Sequence, residues 1–171
     1  MPISIYDVSV PVFRQMLECQ IRFLHKAAAH AESKNIDPMY IAGARLSRNS
    51  HAYGQHVRSM CLIANQAMAQ LGGEGMSKPQ PTERGFPALK VCVADSLAIT
   101  NKLKPEKFET AESKMLSIGL SNGGAGEVTA QELLLHFVMP NFFAHAVLAY
   151  ETLVHCGVGV SMNEYSFPPV A

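Results

Sequence analysis

The amino-acid sequence predicts an all-α protein, a four-helix bundle, on three observations. Four long stretches carry apolar residues at steps of three and four, the spacing that gathers one stripe on one face of a helix. Glycine, proline and capping signals separate those stretches. The chain has 171 residues, 48% of them hydrophobic, which suits one domain over 1–171 that buries roughly 68–70% of its unfolded surface with no disulfide or metal to hold it.

The first helix is expected from about Ser9 to Lys34, because Val10, Phe13, Leu17, Ile21, Leu24, Ala28 and Ala31 form the stripe and Pro11 fits the first turn. Asp37 followed by Pro38 repeats that start signal for a short helix through Met39 to Ala44. After a loop near Ser47 to Ser50, a second long helix runs from about His51 to Leu71, with Tyr53, Val57, Met60, Ala64, Ala67 and Leu71 on one face and Gly72-Gly73 as its stop. Residues 72–85 read as a long surface loop. The third helix covers about Phe86 to Leu103, and Pro105 ends it. Between Phe108 and Val128 the helical period fades, and two short extended pieces around a glycine-rich turn predict a small β-hairpin. The fourth helix starts at a capping box, Thr129 with Glu132, and stops at Gly157. It is apolar all round in its first half, which predicts a helix packed on most sides, and Pro140 predicts a kink inside it.

Composition excludes several functions. Fourteen basic and fourteen acidic residues cancel, and charged residues make up 16% of the chain, so no surface for nucleic acid is expected. Cys19, Cys61, Cys92 and Cys156 are widely spaced with no CxxC pair, which reads as reduced packing residues of a cytoplasmic protein. The start MPISIYDVSVPVF lacks the pattern of a signal peptide, and Leu133 to Ala149, interrupted by His136, Pro140, Asn141 and His145, falls short of a membrane span. The glycines of 119–126 lack the lysine and the strand–loop–helix context of a phosphate loop, and neither GxSxG nor a cysteine–histidine spacing marks a nucleophile. Met16, Met60 and Met68 fall on inward stripes and are expected to fill gaps in the core.

Seven histidines raise the question of chemistry. His136 and His145 are nine residues apart, pointing to roughly opposite helix faces and about 13.5 Å apart along the axis. One residue inserted in a bulge at Pro140 would still leave them about 12 Å apart, too far to share a zinc ion. Asn141 and His145, four apart on one face, have chelating spacing, although asparagine is a poor zinc ligand. Of His51 and His56, five apart on the expected second helix, only one faces the interior well, and His56 beside the Tyr53–Val57–Met60 stripe is the better candidate. Core packing is the commoner fate of such a histidine. His136 serves either the backbone opened by Pro140 or a pocket. His25, His30 and His155 sit near helix ends, where a partly cationic ring suits the dipole.

The segments YDVSVPVF, KAAAHAESKNIDP, ARL and above all LLLHFVMPNFFAHAVLAYETL resemble those of a family of unknown function within the DinB/YfiT-like superfamily, over nearly the whole chain. The resemblance implies a DinB-like four-helix bundle, often homodimeric, whose metal-binding relatives hold a divalent ion such as zinc or nickel by three histidines, one from the second helix and two, four residues apart, from the last. In this chain those positions are His56, Asn141 and His145, so the triad is incomplete at Asn141. Relatives in the superfamily include thiol-dependent transferases and a thiol-dependent isomerase. Three functions follow as expectations. The first is an enzyme acting on a small organic molecule without a tightly bound metal, using His56, His145, Asn141, His136 and Tyr53 for acid–base and hydrogen-bond roles in an isomerisation or cyclisation. The second is a divalent-metal enzyme with His56 and His145 as ligands. The third is a noncatalytic binding or stress-related dimer. No nucleic acid or membrane partner is expected.

Overall fold

A computed structural model describes residues 4–73, 85–111, 114–119 and 125–166. Helix α1 spans Val10–Ser33 and α2 spans Pro38–Gly43, each with proline in its first turn. Asp37 caps α2 by accepting a hydrogen bond from the Met39 N–H at 2.8 Å. The buried face of α1 keeps Val10, Phe13, Leu17, Leu24 and Ala31 from the expected stripe and adds Phe23 and Ala27, while Ile21 and Ala28 are half-buried. A straight helix drifts relative to a fixed three-and-four step, and over this length the drift exchanges neighbours.

Helix α3, Tyr53–Gly72, begins two residues later than the sequence predicts. The Gln55 side chain reaches back to accept from the Ala52 N–H at 2.9 Å, which fixes the start there and leaves His51 in the preceding turn. At the other end Gly73 adopts the left-handed conformation, φ 68°. Gly72 is required by a close approach: a Cβ there would lie 2.9 Å from the ring of Phe108, which belongs to a 3₁₀ turn at Pro105–Phe108. Helix α4, Phe86–Lys102, matches expectation to one residue. Most of the expected loop at 72–85 lies outside the described residues.

Strands β1, Met115–Gly119, and β2, Ala125–Thr129, pair antiparallel from Met115 with Thr129 to Gly119 with Ala125. The expected hairpin is therefore present, and its glycine-rich turn, 120–124, lies outside the described residues. Thr129 and Glu132 form the expected capping box, with Thr129 N–H donating to Glu132 Oε2 at 2.8 Å and Glu132 N–H to Thr129 Oγ1 at 3.1 Å. The last long helix follows in three pieces: α5, Ala130–Glu132, a π-helical turn at Leu133–Val138, and α6, Met139–His155. The Met139 N–H donates to the Leu134 carbonyl, five residues back. The distortion expected at Pro140 is thus taken up in the turn before it, because a wider turn relieves the clash between the proline ring and the carbonyl four residues earlier.

In the bundle α1 packs on α4, α4 on α3, α3 on α6, and α6 on α1. Phe13 and Phe142 meet edge to face at 4.9 Å across the α1–α6 side. Met16, Met60 and Met68 are buried in this core as expected. A short helix α7, Asn163–Ser166, which no periodicity in the sequence marks, straps back over α1. Lys26 pairs with Glu164 at 2.8 Å, and the Tyr165 hydroxyl donates to the Ala146 carbonyl at 2.8 Å. Cys19, Cys61 and Cys92 are buried and no disulfide joins them.

One expectation fails. The last long helix is not packed on most sides: Phe142, Ala146, Ala149 and Leu153 face the core, while Phe137, Phe143, Val147, Leu148 and Val154 are exposed. By length and composition Ala130–His155 also passes as a candidate span, with mean hydropathy 1.5. Between Leu133 and Tyr150 its interruptions are histidine, asparagine and proline, which weigh less against such a window than full charges do, and its two carboxylates, Glu132 and Glu151, stand toward its ends.

Candidate functional site

His56, in the first turn of α3, and His145, in the middle of α6, come together where these two helices pack. Their Nδ1 atoms are 2.9 Å apart, a hydrogen-bond distance, so one of the two rings donates and the other accepts. His56 is buried and His145 half-buried. Because His51 precedes α3 instead of lying on it, its ring folds back onto the pair, with its centroid 5.7 Å from that of His56 and 6.2 Å from that of His145. The His56 and His145 rings are themselves 5.2 Å apart. His51 is exposed and gives the cluster an edge in solvent.

The electrostatics follow from this placement. Burial pushes the His56 pKa down to about 4, helped by the neighbouring His145 and His51 rings. His145 is lowered as well, first by burial and then by His51. Both rings are therefore neutral at pH 7 and share one proton along the Nδ1–Nδ1 line. Two tautomers satisfy that line. With the proton on His145 Nδ1, the Nε2 of His145 carries a lone pair and is a base; with the proton on His56 Nδ1, the same Nε2 carries hydrogen and is an acid.

The remaining candidates lie elsewhere. Asn141 is exposed one turn before His145, and its Nδ2 donates to the Phe137 carbonyl of its own helix at 2.8 Å. His136 is exposed. Tyr53 is fully buried, its hydroxyl held at 2.7 Å by Gln20 Nε2, and burial raises its pKa well above the usual phenol value. So the structure brings His56 and His145 together, adds His51, and sets Tyr53, Asn141 and His136 apart from them. The signal that could have found His51 was the capping glutamine at 55, which moves the helix start past it.

The three positions at which metal-binding relatives carry histidines do not make a three-imidazole centre in this chain. The third is an amide turned onto the Phe137 carbonyl. Among the described residues no three His, Cys, Asp or Glu side chains stand close enough to hold a metal ion.

A cavity of about 320 Å³ lies beside the N-terminal turn of α3, lined in part by Arg45, Ala52, Gln55, Arg58 and Leu89. Ala52 and Gln55 flank the histidines along the chain, but neither His56 nor His145 is in the cavity wall. A second, more open hollow of about 560 Å³ shares Met39, Gly43 and Arg45 with it and reaches His155 and Cys156.

Comparison with known proteins agrees with this architecture. No curated protein matches the chain. A crystal structure described as a DinB family member from Shewanella denitrificans superposes with a TM-score of 0.85 at 26% identity, covering 97% of this chain and 94% of that one. The model of a family described as a domain of unknown function, DUF1993, matches residues 5–166. With that match over nearly its whole length and a DinB-like bundle beneath it, the chain belongs to the DUF1993 family.

Proposed function

We propose that the protein is a small-molecule enzyme in which His145, paired with His56, moves a proton on an organic substrate in an isomerisation or cyclisation. The 2.9 Å Nδ1–Nδ1 contact carries this reading. An isomerase must remove a proton from one atom and return one to another, and His145, with its Nδ1–H donated to His56, can take the proton at Nε2 as a base and return it from the same Nε2 as the imidazolium. His56 is a positioning group: buried and kept neutral, it holds the His145 ring by accepting the hydrogen bond from His145 Nδ1–H, and that bond is retained while His145 is imidazolium. Such a site fits a small organic ligand better than a polyanion, in keeping with the zero net charge. Buried thiols without a disulfide suit the cytoplasm as its compartment.

Incubation with a panel of keto acids and enolisable ketones in deuterated water, followed by proton NMR, tests the reading through the loss of C–H signals. The wild-type chain is expected to catalyse exchange on at least one compound. His145→Ala should slow it by about 10²- to 10⁴-fold. Equal exchange by wild type, His145→Ala and His56→Ala would remove the proposal. Elemental analysis of protein purified without chelator separates the alternative: one divalent ion per chain, lost in His56→Ala, would replace it with a metal-dependent enzyme held by His56 and His145.

A further inference from the structure

We infer that the cavity beside the N-terminal turn of α3 is a binding site for a small organic anion, a carboxylate or phosphate monoester on a short apolar body. This site is separate from the histidine pair. Its volume of about 320 Å³ falls at the lower end of the range for small-molecule sites. At 100° per residue, Gly54 and Arg58 of its wall stand about 160° round α3 from His56. The cavity therefore lies across that helix from the imidazoles.

Charge and shape select the ligand. Arg45 and Arg58 both line the cavity, and among the described residues of its wall there is no carboxylate. The Arg45 guanidinium donates to the Ser50 carbonyl, a neutral partner, which fixes the side chain and does not cancel its charge. Arg58 is half-buried, and a guanidinium partly withdrawn from water attracts an anion more strongly than one in open solvent. A carboxylate or a phosphate accepts two parallel N–H bonds from such a fork. The backbone carries the same sign into the cavity. Helix α4, 17 residues long, starts in its wall with Gly85 as N-cap, which offers no side chain to the first amides, and α3 starts there at Ala52. The positive poles of two long helices thus reinforce the arginines. The rest of the wall is apolar: Leu89, Ala42 and Met39 receive a short hydrocarbon body. The second hollow shares Arg45 and lacks Arg58, so both forks serve one ligand only in the first.

Amide NMR titration of the isotope-labelled full chain tests the inference, with benzoate, phenyl phosphate, benzamide and inorganic phosphate as probes. Benzoate or phenyl phosphate is expected to shift the Gly54 and Gly85 amides with a Kd of about 1 mM or tighter, and the tighter of the two identifies the anionic group. Benzamide keeps the ring without the charge, and inorganic phosphate keeps the charge without the ring; each should bind at least about 10-fold more weakly. Arg45→Gln and Arg58→Gln should each weaken the preferred probe at least about 10-fold, while the dispersion of their amide spectra shows that they remain folded. His145→Ala should bind it as wild type does. The inference is overturned if neither benzoate nor phenyl phosphate binds at about 10 mM, if benzamide or inorganic phosphate binds as tightly, or if either folded arginine variant binds as wild type. Loss of binding in His145→Ala would overturn it too, by assigning the anion to the histidine pair.

Discussion

His56 is the residue on which the chemistry and the stability meet. Its imidazole is buried against two other imidazoles, so its protonated form is disfavoured in the native protein and not in the unfolded chain. Proton NMR over a pH series should show the His56–His145 pair titrating in two steps, one at about 4 and the other below the ordinary histidine value of 6.5. The sign of the linked stability follows. Between pH 6.5 and about 4 the unfolded chain binds protons that the native pair refuses, so the native state is progressively lost on acidification and regained as pH rises. Melting temperatures measured across that window should fall toward acid, and His56→Leu should flatten the slope. At this scale the sequence was half legible. His56 and His145 can be named from stripes and spacing, but His51 cannot, because the angle between residues five apart holds only on a helix, and none exists yet at position 51. Tyr53 is the opposite case: a phenol on an inward stripe has the look of a reactive group in the sequence, and the fold commits its hydroxyl to Gln20 inside the core.

Among the elements, the start of the last long helix was the most legible, since a capping box needs only two side chains at fixed spacing and both hydrogen bonds form. Thr129→Ala should cost about 1 kcal/mol, which urea or thermal denaturation would register as a drop in melting temperature of about 2–4 °C for a chain of this size. The π turn that follows was anticipated only as a distortion near Pro140. Sequence announces that a proline must disturb a helix; whether the disturbance becomes a kink or a widened turn is decided by the packing on either side, here Leu133, Leu134 and Val138 in the core before α6 begins. The strap formed by α7 was invisible for a related reason. Four residues carry no periodicity, and what holds them is tertiary: the Lys26–Glu164 pair and the Tyr165 ring set edge-on against Phe23 at 5.1 Å.

For the whole molecule, the bundle was readable because amphipathic periodicity is the property that makes four helices close on one another. What periodicity cannot tell is which way an all-apolar helix turns its second face, and for that reason the exposed side of α6 is indistinguishable from core in the sequence. The α1–α6 side depends on a small number of large groups. Phe142→Ala removes the ring that meets Phe13 and should cost about 3–5 kcal/mol. The expected loss of melting temperature is on the order of 10 °C, with the His56–His145 contact surviving because α6 is held mainly by α3. A melting temperature within 2 °C of wild type would show that this side of the bundle is loosely closed. The π turn at Leu133–Val138 has one more consequence for the molecule. It is a single-residue insertion absorbed inside a helix, placed between the hairpin and the segment that carries His145. A residue added or removed upstream of Met139 is therefore expected to be absorbed in that turn while the two facing imidazoles keep their alignment.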